Sequence, residues 1–424
     1  MALLLLRLLL SADVGGHVLA NNNVCYWILR LVRVRLSFGR ANLGLLRDSR
    51  FAYSKGSALT LTNLNPFLEV VLALMGCFLD YAMNQELRDE LRNLINIDTL
   101  EDLCASINEI GPFVSCIGMN SPISVSTLKY YTQVRARQAS YRQFLIPKKS
   151  GGVRTITAPD GQLKDIMYTL AFILSALYTP HREAIAFVPQ RSIVDNAREH
   201  LGKNYVFNLD LCDFFTSITS HMVEYGLYKL GFSPTIAQCL STICTYPTVV
   251  DKKVLNVVPQ GAPTSPVISN ICAMTLDSRL SGLAKRFHLS YTRYADDITF
   301  SSNHNVYHED GVFMWELYHI ISDCHFTVNE KKTRLQKRGG RQEVTGLTVS
   351  EKPNVCRKYI KNLRALIHHI SMIEAPEMHD INVARGKLNF LRMVKGQEDS
   401  TYIRLAIKLN RAVAGKHFSN TINA

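Results

Sequence analysis

The sequence predicts an α+β protein: an antiparallel sheet packed on helices, followed by a helical C-terminal segment. Three observations predict it. Short stretches rich in β-branched and aromatic residues, bounded by turn residues, recur at 141–159, 205–211 and 289–301. Between and after them, apolar residues fall at helical spacing. Hydrophobic residues make up 47% of the 424, enough for a large core, which excludes a disordered chain.

Length leaves room for two or three domains or one multi-lobed enzyme. The net charge of +13 calls for a polyanionic partner, nucleic acid or an anionic surface. None of the ten cysteines forms a CxxC pair, so free thiols in a reducing, cytoplasmic compartment are expected rather than a zinc site. Residues 1–84 carry no motif. The leucine-rich 2–10 is interrupted by Arg7 and lacks a cleavage site. The apolar run 70–79 falls short of the roughly 20 residues a bilayer span needs and reads as a buried helix. An over-extended start, with initiation at Met75 or Met83, is the expectation for this region.

In chain order, 85–135 reads as helical. Leu87, Leu91, Leu94 and Ile95 share one helix face, and Thr99 with Asp102 caps a second helix ending near Ile110. Residues 111–122 read as a loop. A hairpin follows over 141–159, with a basic tip of Lys148 and Lys149 and with Arg154 beyond it. The tip suits a loop closing over a triphosphate, or a solvated charged turn. Residues 162–177 form an apolar-faced helix. In 184–202, Asn196, Ala197 and His200 lie on what reads as a polar helix face. Residues 205–211 form an apolar strand ending at Asp210, and Asp213 stands near the start of the next helix. A lone aspartate in such a strand is costly unless it is paired or binds a metal. Gln260 and Gly261 precede a helix over 267–287, and Gly261 permits close backbone approach to a ligand.

Residues 289–301 read strand, turn, strand, with Ala295, Asp296 and Asp297 as the turn. Paired carboxylates at a hairpin tip can hold a divalent cation against a phosphate, although aspartates also favour turns that carry no chemistry. A helix over 315–324 and a basic stretch over 331–341 come next, then a short strand pair over 343–350. The tail has Tyr359, Leu363, Leu366, Ile367, Ile370 and Ile373 at helical spacing, with Arg357, Lys361 and Arg364 on another face suited to phosphates. Residues 352–416 hold 13 Lys/Arg against 5 Asp/Glu, hence 8 of the 13 excess positive charges. Gly386 and Gly396 read as helix ends or turns.

The tetrapeptide Tyr294-Ala295-Asp296-Asp297 resembles the catalytic box of reverse transcriptases, and five further blocks follow that family's order. The resemblance implies a right-hand polymerase, with fingers and palm over 136–345 and a basic helical thumb over 346–424. It implies that Asp210, Asp296 and Asp297 hold two Mg2+ ions, with Mn2+ as the alternative, for two-metal nucleotidyl transfer. Lys148, Arg154, Asp213, Phe215 and Gln260 would bind the dNTP. Phe215 would lie under the sugar and exclude a 2′-OH, unless it is plain core. Lys332 would act as general acid toward pyrophosphate, with Lys331 as its competitor.

The wording of 196–200, 260–266 and Val344-Thr345-Gly346 is similar to that of retron reverse transcriptases. That implies a cognate structured non-coding RNA as template and primer, priming from a guanosine 2′-OH, and a branched RNA–DNA product called msDNA. It also implies a retron effector protein, an anti-phage role and no membrane partner. RNA recognition is expected from Asn196, His200, Val344, Thr345, Gly346, Arg357, Lys361 and Arg364. A group II intron-like enzyme is the nearest alternative. A non-catalytic RNA-binding scaffold is another, and the presence of all three carboxylates stands against it.

Overall fold

In the computed structural model, helices α1 (Leu100–Val114), α2 (Val125–Thr132) and α3 (Val134–Ala139) come first. The structure describes residues 97–114, 122–147, 151–250 and 252–414. The helix read over 85–97 falls almost wholly outside them, as do the apolar run 70–79 and the loop tip with Lys148 and Lys149. Helix α1 starts at the expected cap, where the Thr99 hydroxyl donates to Asp102 Oδ2 at 2.6 Å and the Asp102 amide donates back at 3.1 Å. It continues through Gly111, which the sequence assigns to a loop. Gly111 is buried there, and packing overrides its weak helix propensity.

Strands β1 (Tyr141–Pro147) and β2 (Val153–Pro159) form the expected hairpin, in register from Tyr141↔Pro159 to Pro147↔Val153. Helix α4 (Gly161–Leu177) buries Leu163, Ile166, Met167, Leu170, Ile173 and Leu174 in the centre of the core. Next come α5 (Ile193–Arg198), β3 (Tyr205–Asp210), α6 (Phe214–Ser217), α7 (Ser220–Lys229), α8 (Pro234–Ile243), and a second hairpin of β4 (Tyr246–Val250) and β5 (Lys253–Val257). The helix expected over 267–287 is two, α9 (Ser265–Cys272) and α10 (Met274–Arg286). They break at the buried Ala273, whose φ of −84° and ψ of 1° interrupt the helical hydrogen bonding. Nothing in the local sequence signals that break.

Strands β6 (Ser290–Tyr294) and β7 (Asp297–Ser302), helix α11 (Val312–Asp323), a 3-10 turn at Glu330–Lys332 and β8 (Arg334–Lys337) complete the palm. Its sheet is fully antiparallel, in the order β6-β7-β3-β8. Alternation along the strands gives it two unlike faces. Phe207, Leu209, Tyr291, Ile298 and Phe300 join the main core on one side. Asn208, Asp210, Thr292, Thr299 and Ser301 share the other.

Short strands β9 (Glu343–Val344), β10 (Leu347–Val349) and β11 (Pro353–Asn354) follow, then helices α12 (Arg357–Met372), α13 (Met378–Lys395) and α14 (Ser400–Val413). These helices and β9–β10 share a second apolar cluster with Val194, Ala197 and Val206, so the C-terminal helices are rooted on the polar side of the sheet. Gly386 lies inside α13 rather than at its end. Gly396, with φ of 90°, does terminate that helix. Among the described residues no helix is long and apolar enough to cross a membrane.

Candidate active site

The last residue of β3, Asp210, is paired across the sheet with the first residue of β7, Asp297. Directly opposed side chains lie on one face, with Cβ atoms about 5 Å apart. Tyr294 pairs with Asp297, so only Ala295 and Asp296 form the turn, and Asp297 belongs to the strand. Ala295 takes φ of 57°, a left-handed conformation that costs a non-glycine residue energy. The Leu211 amide donates to the Asp296 carbonyl at 3.0 Å, tying the end of β3 to this turn.

Electrostatics at this corner are one-sided. Desolvation in the cleft raises the Asp296 carboxyl above its ordinary range, and the charge on Asp210 adds to the effect. Lys332 and Arg154 pull it back, so the hairpin arginine is near enough to be felt. Asp297 is itself exposed at the mouth of the cleft. Desolvation deeper in the cleft, with the charges of Asp296 and Asp210, pushes its carboxyl up to about 6. Asp210 is differently placed. Lys332 Nζ donates to both of its carboxylate oxygens at 2.9 Å, and Asn329 Nδ2 donates to Oδ1 at 3.1 Å. That hydrogen bond lifts the Lys332 pKa above its usual value, which keeps the ammonium charged. Among the described residues no three acidic, His or Cys side chains close on a single point. The donors are nonetheless all carboxylate oxygens, carrying more negative charge than one lysine neutralises. That set fits hard divalent cations.

A cavity of about 440 Å³ opens beside these acids, lined by Asp210, Asp297, Lys331, Lys332, Thr345 and Gly346 among others. Gly261 locks the fingers hairpin to the palm. Its φ is 125°, and a Cβ there would come within 2.7 Å of Ile156 Cγ2. The adjacent Gln260 carbonyl accepts from the Thr157 amide at 2.8 Å. Phe215 is half-buried between Phe214 and Phe187, with ring centroids 5.5 and 6.2 Å away. Asp213 is exposed just before α6, with φ of 44°. Lys148 lies outside the described residues.

The residues expected to recognise RNA divide into two groups. Arg357, Lys361 and Arg364 are exposed along α12, and Thr345 and Gly346 border the cavity. Asn196, His200 and Val344 are at most 1% exposed, so the expectation that they touch RNA is corrected. What reads as a polar helix face packs onto the polar face of the sheet. His200 bridges Ser301 Oγ and Thr292 Oγ1, each at 2.7 Å, and burial holds its pKa down to about 3, so it stays neutral. Asn196 Nδ2 donates to Thr345 Oγ1 at 3.4 Å, which joins the two short boxes across 149 residues.

Sequence reasoning missed a fully buried pair. Arg293 binds Asp277 through Nε and Nη2, at 2.7 and 2.6 Å, with both side chains 0% exposed. Alternation along Ser290–Tyr294 puts Arg293 on the same face as the core residue Tyr291, and that was the available signal, by the same cost argument applied to Asp210.

Comparison with known proteins agrees with this geometry. The reverse transcriptase (RNA-dependent DNA polymerase) family matches residues 146–354. The retron Mx65 reverse transcriptase of Myxococcus xanthus is 36% identical over 65% of this chain and 67% of its own. The retron Ec86 reverse transcriptase of Escherichia coli is 34% identical over 71% of this chain and 89% of its own. Among solved structures, telomerase from Candida albicans aligns at a TM-score of 0.37 and 10% identity, over 64% of this chain and 59% of that one, too distant to guide residue roles. The acids on β3 and β7, the hairpin locked by Gly261 and these relatives lead to one conclusion: the chain belongs to the retron reverse transcriptases and is an RNA-directed DNA polymerase.

Proposed function

We propose that this polymerase copies a cognate structured non-coding RNA into msDNA in the bacterial cytoplasm, starting from a guanosine 2′-OH of that RNA. The primer hydroxyl attacks the α-phosphorus of a dNTP, the new P–O bond replaces the bond to the β-phosphate, and pyrophosphate leaves. Asp210, Asp296 and Asp297 would hold two divalent cations, Mg2+ or Mn2+, which supply activation of the hydroxyl and neutralisation of the triphosphate. The observation that carries this reading is the cross-strand pairing of Asp210 with Asp297, with Lys332 on Asp210.

Lys332 has two parts to play. It neutralises Asp210 through two hydrogen bonds, and its charged Nζ, once freed from that carboxylate, would give a proton to the departing pyrophosphate. Its contact with Asp210 favours Lys332 over Lys331 for this role. Arg154 and Lys148 would neutralise the triphosphate. Phe215 would exclude a ribose 2′-OH. Gln260 and Asp213 would line the nucleotide site, and Arg357, Lys361 and Arg364 would hold backbone phosphates. The retron resemblance alone supports an effector protein and an anti-phage role.

The test is labelled dNTP incorporation on copurified RNA, wild type against Asp296→Ala with Asp297→Ala. Label is expected only in the wild type, in a product that RNase shortens but does not strip of its branch nucleotide. Equal labelling in both proteins would refute the carboxylate assignment. A linear product with no 2′ linkage would refute the priming mode alone.

A further inference from the structure

Arg293 is the hub of a hydrogen-bond network that reaches both sides of the polymerase site. Its Nη1 donates to the carbonyl of Ala295, the left-handed residue of the catalytic turn, at 3.1 Å. Its Nη2 donates to Asn270 Oδ1 on α9 at 3.1 Å, and Asn270 Nδ2 donates to the Ala186 carbonyl at 2.9 Å. The Arg293 backbone completes the link. Its amide donates to the Glu183 carbonyl, and its carbonyl accepts from the Ile185 amide, both at 2.8 Å. Those bonds place the loop that carries Phe187 against the edge of β6. Asp277 supplies the counter-charge and also accepts from the Tyr291 hydroxyl at 2.8 Å.

A buried ion pair of this kind is weak evidence for stability, because desolvating two charges offsets much of their attraction. An apolar pair of similar volume would serve a core at least as well. What an apolar pair cannot do is hold the Ala295 carbonyl, and with it the strained turn that presents Asp296 and Asp297. We infer that Arg293, held by Asp277 and Asn270, is a positioning residue: it couples the loop under Phe215 and Phe187 to the catalytic turn and sets where the two carboxylates stand. This rests on the assignment of Asp296 and Asp297 to catalysis. The network lies beneath the site and touches no substrate.

The test replaces both charges at once, Arg293→Met with Asp277→Leu, so that no buried charge is left unpaired. Melting temperature is expected to fall modestly, because the buried Tyr291 hydroxyl and Asn270 Oδ1 lose partners, while affinity for the copurified RNA stays near wild type. The single-turnover rate should fall about 100-fold, the scale of an ångström-level misplacement of catalytic groups, while the KM for dNTP changes less than threefold. Amide hydrogen exchange in 294–298 should quicken, a readout independent of metal and of turnover. A stable double variant with the wild-type rate and unchanged exchange overturns the inference.

If the double variant does not fold, Arg293→Lys decides. It keeps the charge for Asp277 but cannot serve Asp277, Asn270 and Ala295 together, so about a tenfold loss of rate at wild-type RNA affinity is expected, and a wild-type rate overturns the inference. Should the wild type itself incorporate no dNTP, the proposed function fails. Should it incorporate dNTP while Asp296→Ala with Asp297→Ala does too, the carboxylate assignment fails. Neither result resembles a network variant that performs like the wild type.

Discussion

Two two-residue hairpin turns border the cleft, and they are fastened in different ways. One joins β6 to β7 through Ala295 and Asp296, the other joins β9 to β10 through Thr345 and Gly346. Each puts a non-glycine residue in the left-handed region, Ala295 at φ 57° and Thr345 at φ 45°. The first is held from below by Arg293, whose Nη1 donates to the Ala295 carbonyl at 3.1 Å and which is itself fixed by a fully buried, bidentate pair with Asp277. The second is tethered by one neutral hydrogen bond of 3.4 Å from Asn196, whose Oδ1 has no partner. A charge-assisted bond from a guanidinium fixed by its own bidentate pair is stronger and more directional than a single long amide–hydroxyl bond. The acid-bearing turn is therefore the more firmly fastened of the two.

The largest effect that would sharpen this contrast comes from the acids. Asp296→Ala with Asp297→Ala should lower nucleotide incorporation by about 1,000-fold or more, the scale of losing preorganised charge at the reacting centre, with RNA affinity retained in a filter-binding assay. Collapse of RNA binding in parallel would mean that the turn shapes the RNA site as well.

Acid titration comes next. The Asp297 carboxyl is raised from 3.8 to about 6, so the folded protein holds that proton more tightly than the unfolded chain. Its ionisation opposes folding. The penalty is absent below about pH 4, grows as pH rises toward 6 and is complete above it. Metal-free Asp297→Asn should therefore melt higher than wild type at pH 7 and equally at pH 4. A pH-independent melting difference would contradict the raised carboxyl.

Loosening the second turn should cost less. Asn196→Ala should destabilise the protein by about 1 kcal/mol, the usual worth of one buried hydrogen bond. Incorporation on a simple primer–template should change no more than about threefold, a bound set by that same energy, while preference for the copurified RNA over unrelated RNA declines. Loss of activity on both substrates would show that this turn is as rigid as the first. The smallest effect is expected from Thr345→Asn. Asparagine tolerates the left-handed conformation that threonine resists, so a gain of about 0.5 kcal/mol in chemical denaturation is expected. A loss would show that the threonine hydroxyl matters more than the backbone cost.

Much of this arrangement is legible in the residues. The strand over 205–210 announces itself by composition, and the hairpin over 290–302 by alternation around a turn. The cap at Thr99 and the Gly396 helix end follow from local chemistry. Other readings failed where local signals met tertiary packing. Gly111 suggests a break that its own burial overrides, and Gly386 one that is overridden by the buried Ile381, Ala384, Leu388 and Leu391 on the other face of the same helix. Ala273 breaks a helix with no local cue. Asn196 and His200 read as a solvated face because nothing within a helical turn of them reveals that Thr345, Ser301 and Thr292 lie alongside.

The sequence by itself determined the order of the elements, the placement of an acid at a strand end and two at a bend, and the excess of positive charge in the C-terminal helices. Periodicity, turn preference and charge count act over a few residues, so they can be read from a string. Only the tertiary structure decided that Lys332 rather than Lys331 reaches Asp210, that Asp277 meets Arg293, and that the Asn196 and Val344 boxes interlock beneath the surface. Those pairings join segments from 16 to 149 residues apart. Their partners are selected by which faces pack together, and packing is a property of the whole core.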